Sequence, residues 1–293
     1  VTIVVGFPAG GNTDVNARIF ADKLQARWGQ PVIVENRPGA ASGVANAYVR
    51  QKAPDGYTLY VVSSPYTVSP YVNPKTNEYN PLKDFTPIAL LSEITSIAVA
   101  PATAPFNTMK EMVDYVKRHP GKVNVGTSGL GSSDHLSQAR MAKMGGLDYT
   151  VVHFAGDAPA WQALAGGVVD FRIGPYASSK SLIDAGKLKV LGTATMERSP
   201  SLPGYAPISE VIPGFAHVPY NALIGPAGMN PELVRKINAD ANAVGKIPEV
   251  VSRLSNLGLI VINDKSSAQL SEYLQAAINA SRAAVEASGI KPE

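Results

Sequence analysis

The chain has 293 residues, with 45% apolar and 17% charged residues and a formal net charge of +3. That hydrophobicity excludes a disordered chain, and at roughly 150 residues per domain the length suits two domains or one large one. The charges are scattered without a basic block, so no nucleic-acid footprint is expected, and no apolar run reaches the ~18 residues of a membrane helix. Cysteine is absent, which removes thiol catalysis, disulfides and thiolate metal sites. The four histidines, His119, His135, His153 and His217, form no short metal-ligating spacing. The chain opens directly in a strand-like run with no signal peptide visible, which reads as a processed chain.

Val1 to Val5 predicts a strand, broken by Phe7-Pro-Ala-Gly-Gly-Asn-Thr-Asp14. Ala17, Phe20, Leu24 and Trp28 then recur at helical spacing, and Gly29 stops the helix. Strands over 31–35 and 58–63 flank a helix over 43–52. Thr108-x-x-Glu111 is a capping box opening a helix to Arg118. A strand over 123–127 leads into a second glycine loop, Ser128 to Ser133, and a helix over 134–144. Further strands are expected over 150–153, 170–173 and 189–195, with helices over 158–165 and 177–185 between them. Asn230-Pro231 caps a helix to Val244. A shorter helix over 248–256, a strand over 259–262 and a last helix from Ser266-x-x-Gln269 to Ala287 complete the chain. Alternating strands and helices predict α/β architecture with mostly parallel sheets.

Two apolar runs, Leu90 to Pro101 and Val218 to Pro226, read as crossings between lobes. One lobe then comprises 1–95 plus 222–293, the other 96–221. Ligands of such proteins sit at the carboxyl ends of the strands.

Both glycine loops follow a strand and open a helix. There the first N–H groups lack intrahelical partners and carry partial positive charge. Glycine admits a ligand close to the backbone, and serine or asparagine adds donors. Each loop therefore reads as an anion site without lysine or arginine; the plainer reading is a tight strand-to-helix turn. Neither is a dinucleotide motif, a P-loop or a nucleophile elbow. Ser132, Asp134 and His135 could be drawn as a triad, but Ser132 is better used as a helix cap. No catalytic residue, metal or cofactor is expected.

These segments carry a family resemblance. Gly10-Gly-Asn-Thr-Asp14, Gly29-Gln-Pro-Val-Ile-Val-Glu-Asn-Arg-Pro-Gly39, Ala53-Pro-Asp-Gly-Tyr57, Ser128-Gly-Leu-Gly-Ser-Ser-x-His-Leu136, Ala185-Gly-Lys-Leu188, Arg198-Ser-Pro200 and Gly289-Ile-Lys-Pro292 span the chain in order. The chain resembles the Bug/TctC family, periplasmic solute-binding proteins of tripartite tricarboxylate transporters. The resemblance implies a type II periplasmic-binding-protein fold with two lobes and a double-crossover hinge. It implies a monomer in the periplasm that binds a small organic carboxylate without catalysis and delivers it to the membrane permease. The ligand carboxylate would lie between the two loops, on Phe7, Gly10, Gly11, Asn12, Asp14, Ser128, Gly129, Gly131, Ser132 and Ser133. The far end would be read by Ser64, Tyr66, Phe154, Ala155, Asp157, Gly174, Tyr176 and the neighbourhood of Tyr220.

The chain departs from the family pattern at Phe154-Ala-Gly156, which lacks a lysine, at Gly174, where an acid is often found, and at Arg172, which replaces an apolar residue. Arg172 could meet a ligand carboxylate or a structural acid. Asp14 is expected to serve its own helix turn, and Asp157 to cap the helix that follows. With no acid free for an ammonium, and Tyr66, Phe154 and Tyr176 nearby, the expected ligand is an unsubstituted dicarboxylate or an aromatic acid. An α/β enzyme acting on a carboxylated substrate and a ligand sensor for a signalling receptor are the alternatives.

Overall fold

The computed structural model describes residues 1–75, 77–130, 132–199 and 202–289, without the side chain of Ala41. The chain forms two compact units, 1–93 with 220–282 and 94–219 with 283–289.

In chain order the first unit opens with β1 (Thr2–Val5), α1 (Asn12–Trp28), β2 (Ile33–Asn36), α2 (Gly43–Arg50), β3 (Thr58–Ser63), α3 (Pro65–Val72) and β4 (Phe85–Ile94). The second unit carries β5 (Ser96–Pro101), α4 (Met109–Arg118), β6 (Asn124–Thr127), α5 (Ser133–Gly145), β7 (Thr150–His153), α6 (Asp157–Ala165), β8 (Arg172–Pro175), α7 (Tyr176–Asp184) and β9 (Leu188–Thr193). The chain returns through β10 (Tyr220–Pro226), α8 (Pro231–Gly245), α9 (Pro248–Asn256), β11 (Leu259–Val261) and α10 (Ser267–Ser288).

In the first unit the strands form one sheet in the order β11-β4-β10-β3-β1-β2. β1 pairs parallel with β2 and β3, bringing Val5 opposite Asn36 and Thr2 opposite Thr58. Ile3, Val4 and Val5 are fully buried, as are Ala17 and Leu24 of α1. A strand buried on both faces explains the uninterrupted apolar run. Trp28 ends the apolar stripe of α1 differently: its indole N–H donates to Asp240 of α8 at 2.8 Å.

The second unit holds a three-stranded sheet, β8-β5-β9, and the parallel pair β6-β7. Its core is built on Phe106, Met112, Val116, Met141, Phe171 and Phe215, with a second cluster around Trp161, Leu164 and Val169.

The sheets are mixed. The strand–helix–strand stretches supply the parallel pairs, but β10 runs antiparallel to β3 and β4, and β5 antiparallel to β8 and β9. A strand that brings the chain back from another unit enters with no crossover helix to set it parallel. The apolar run expected to begin at Leu90 begins at Phe85 and divides at Thr95 into β4 and β5. Helix α3 is additional to the expected elements; it contains Pro70, and Pro65 occupies the first turn, where its missing N–H costs nothing. Strand β8 lies two residues beyond the expected 170–173. Asp170 stays outside it, its carboxylate accepting the Asn124 N–H at 2.8 Å.

Candidate ligand-binding site

In the first unit, β1 delivers the chain to the loop over residues 7–11. Gly10, at φ +84°, makes the bend, and Gly11 is the N-cap of α1 without any side-chain cap. Gly10, Gly11 and Asn12 are exposed, while Thr13 and Asp14 are buried. The Asp14 carboxylate is turned back on its own loop. It accepts the Gly10 N–H at 2.8 Å, Arg18 Nε at 3.0 Å and Asn36 Nδ2 at 2.8 Å. Asn36 Nδ2 also donates to the Phe7 carbonyl at 3.0 Å, so the end of β2 braces both ends of the loop. Burial raises the Asp14 pKa, but Arg18, the Gly10 N–H and Asn36 outweigh it and hold the carboxyl below its usual value. Asp14, expected to serve its own helix turn and to line the ligand site, spends its carboxylate on the preceding loop, on Arg18 and on Asn36, and the first turn of α1 has no side-chain cap.

In the second unit a first-turn acid again holds the loop before its helix, although this helix has a side-chain cap. Asp134, in the first turn of α5, accepts the Ser128 N–H at 2.8 Å and the Ser128 hydroxyl at 2.6 Å. Ser132 is the N-cap: its Oγ accepts the His135 N–H at 3.3 Å and donates to the Gly129 carbonyl at 2.6 Å. The hydroxyl thus serves the loop and the helix cap. Ser133 begins α5, half-buried. Gly131 lies outside the described residues.

The segment 154–157 is stitched to this loop. Phe154 N–H donates to the Thr127 carbonyl and Gly156 N–H to the Ser128 carbonyl, both at 3.0 Å. Ala155 is exposed, and Phe154 packs against the cluster around Trp161. Gly156, not Asp157, is the N-cap of α6. Asp157 is the first helical residue, and its carboxylate goes to Arg172 instead of to its own helix.

Arg172 is fully buried at the start of β8. Its guanidinium contacts Asp134 at 3.2 Å and Asp157, donates to the Asp157 carbonyl at 3.1 Å, and lies 4.1 Å from the Trp161 ring centroid. Of the two partners weighed for Arg172, this structure shows structural acids. Gly174 packs against the same tryptophan: a Cβ there would lie 2.7 Å from Trp161 Cζ2 and 3.5 Å from Arg172 Cζ.

The remaining predicted positions divide. Ser64 caps α3 by position without a side-chain bond to it, and its hydroxyl accepts the Tyr220 N–H at 3.4 Å. Tyr176 is half-buried against the Trp161 cluster. Tyr66 requires a correction: it is 1% exposed, its hydroxyl donates to the Pro81 carbonyl, and its ring stacks on Tyr79 at 5.6 Å. It is a core residue of the first unit, because α3 turns it inward. Sequence reasoning missed the pairing of Asp134 with Ser128. A first-turn acid six residues after a loop serine was the available signal.

Histidines 135 and 153 meet edge to face with centroids 4.6 Å apart, and His153 Nδ1 lies 2.7 Å from Thr127 Oγ1. Burial, with His153 beside it, pushes His135 down to about 4. No cluster of metal-ligating side chains occurs among the described residues.

The two-unit α/β fold, with a loop-to-helix junction after β1 and another after β6, is that of a type II periplasmic-binding-protein receptor for small solutes. Residues 16–290 match the tripartite tricarboxylate transporter family receptor, and the chain belongs to that family. It is similar to a Rhodopseudomonas palustris protein solved with adipate, at 28% identity and a TM-score of 0.82 over 100% of this chain and 98% of that one. MatC of Rhodopseudomonas palustris, solved with bound malate, is 32% identical with a TM-score of 0.76, over 97% and 98% of the two chains. The periplasmic binding protein BugD is 26% identical with a TM-score of 0.77, over 100% and 98%.

Proposed function

We propose that this protein captures a small organic carboxylate in the periplasm and delivers it, unchanged, to the membrane subunits of a tripartite tricarboxylate transporter. The observation that carries this reading is the start of α1. It begins at the exposed Gly11 and Asn12 without a side-chain cap, because Asp14 is spent on Gly10, Arg18 and Asn36. A ligand carboxylate is the natural acceptor there. The Ser128–Ser133 loop, at the start of α5, supports a second anion contact through Ser133 and the partial positive charge of that helix end, since Ser128 and Ser132 are engaged within the loop. Adipate and malate in the two neighbours named above support a dicarboxylate. Ligand specificity is assigned to Ser64, Phe154, Ala155 and Tyr176, and the preferred class is a dicarboxylate or aromatic acid without an amino group.

Isothermal titration with adipate, malate, benzoate and glucose tests this. At ~100 times Kd a carboxylate should stabilise the protein by roughly 2.7 kcal/mol in a thermal scan, and mass spectrometry should recover it unaltered. Stabilisation by glucose and by no carboxylate would overturn the assignment, and turnover of the ligand would replace it with an enzyme.

A further inference from the structure

Arg172 does more than fill the core. Its side chain is fully buried, yet it meets two acids that belong to two different loop-to-helix junctions. Asp134, 5% exposed, holds Ser128 and so fixes the loop that leads into α5. Asp157, its side chain 46% exposed, lies on the segment stitched to Thr127 and Ser128. One Nη atom serves both carboxylates, and the other holds the Asp157 carbonyl at 3.1 Å. Trp161 covers the guanidinium face, and the missing side chain at Gly174 leaves room for that stack. Nε finds no partner among the described residues. An arginine this buried is retained at a cost unless its charge is used.

The charge balance gives the use. Two carboxylates meet one guanidinium and the starts of α5 and α6, each worth roughly half a positive charge. The charges beside the start of α5 therefore sum close to neutral. Without Arg172, Asp157 would present an uncompensated carboxylate where a ligand arrives. It would repel a second carboxylate and attract an ammonium group.

We infer that Arg172 is a specificity-determining residue: by neutralising Asp157 and Asp134 it keeps the second unit's loop receptive to carboxylates and closed to their α-amino counterparts. The inference rests on the carboxylate-binding reading above. It assigns Arg172 no ligand contact; the residue acts through the two acids.

The test is the ratio of affinities for adipate and 2-aminoadipate, measured by calorimetry on the whole protein. The wild-type protein should prefer adipate at least tenfold. Arg172→Leu should lower that ratio at least tenfold, Arg172→Lys should lower it less, and Arg172→Leu with Asp157→Asn should restore most of it. A purely structural arginine would change both affinities together and leave the ratio alone. Asp157→Asn by itself removes only a half-exposed carboxylate, so it reads out the idea even if Arg172→Leu fails to fold; it should raise the preference for adipate. A ratio unmoved by Asp157→Asn, or unmoved in a folded Arg172→Leu protein, overturns the inference. Failure of the wild-type protein to bind adipate, malate or any other carboxylate overturns the functional reading itself, which separates the two failures.

Discussion

Asp134 grips Ser128 by both of its donors, the backbone N–H at 2.8 Å and the hydroxyl at 2.6 Å. Asp14 does the equivalent for Gly10 in the other unit. In each case a first-turn acid that could have capped its own helix is turned onto the loop before it. The loop is fixed in both units; α5 is then capped by Ser132, whereas α1 starts at Gly11 with no side-chain cap.

Asp134→Asn should therefore weaken adipate binding. The amide keeps one acceptor but sets its NH2 against one of the Ser128 donors, and it removes a charge from Arg172. Charge-assisted hydrogen bonds contribute about 1.5–3 kcal/mol, so a loss of about 10- to 100-fold in affinity is expected by calorimetry. Unchanged affinity in a folded variant would detach this loop from the ligand.

Stability should fall between pH 6.5 and 4. Burial pushes both His135 and His217 down to about 4, against about 6.5 in an unfolded chain. In that window the unfolded state binds protons that the folded state refuses, so stability rises with pH. Each histidine adds a slope of up to about 1.4 kcal/mol per pH unit. Urea unfolding at pH 7, 5.5 and 4.5 measures it, and His217→Gln should flatten the profile.

Acid should act again lower down. Burial raises Asp240, but Arg27, Lys236 and Trp28 outweigh it, leaving the carboxyl below its usual value. Asp14 and Asp134 share that direction. A depressed carboxyl contributes stability that is complete above the unfolded pKa of about 3.9 and is lost as pH falls through the folded value. Asp240→Ala should reveal part of this at neutral pH. It strips Trp28 and two cations of their acceptor and should cost about 1–2 kcal/mol, the exposed cations counting for little. A urea midpoint equal to wild type would contradict it.

Gly174→Ala should destabilise the second unit. The new methyl would lie 2.7 Å from Trp161 Cζ2, and overpacking of this kind costs about 1–3 kcal/mol. Trp161→Leu in the same chain should recover part of the overpacking loss, although it also removes the ring over Arg172. Additive losses in the double variant would show that the contact is not the cause.

Most elements were legible because local chemistry specifies them. The capping box at Thr108 and Glu111 forms as written, with Glu111 N–H donating to Thr108 Oγ1 at 3.1 Å, and Ser266 and Gln269 cap one another reciprocally. The β-branched runs became strands, and both glycine loops open helices where the pattern placed them. Those features depend on residues within a few positions of one another.

What the sequence by itself determined was the alternation of elements, their caps and the two glycine loops that open helices. Tertiary structure alone decided the sense of β5 and β10, the inward turn of Tyr66 and the partners of Arg172. Strand sense depends on how the chain returns from the other unit, which no local pattern encodes. Arg172 meets Asp134 across 38 residues, a distance at which spacing carries no information. A charged side chain in a strand says only that it needs partners; the packed fold chose two acids and a tryptophan for it, because a guanidinium out of water must be met on nearly every side.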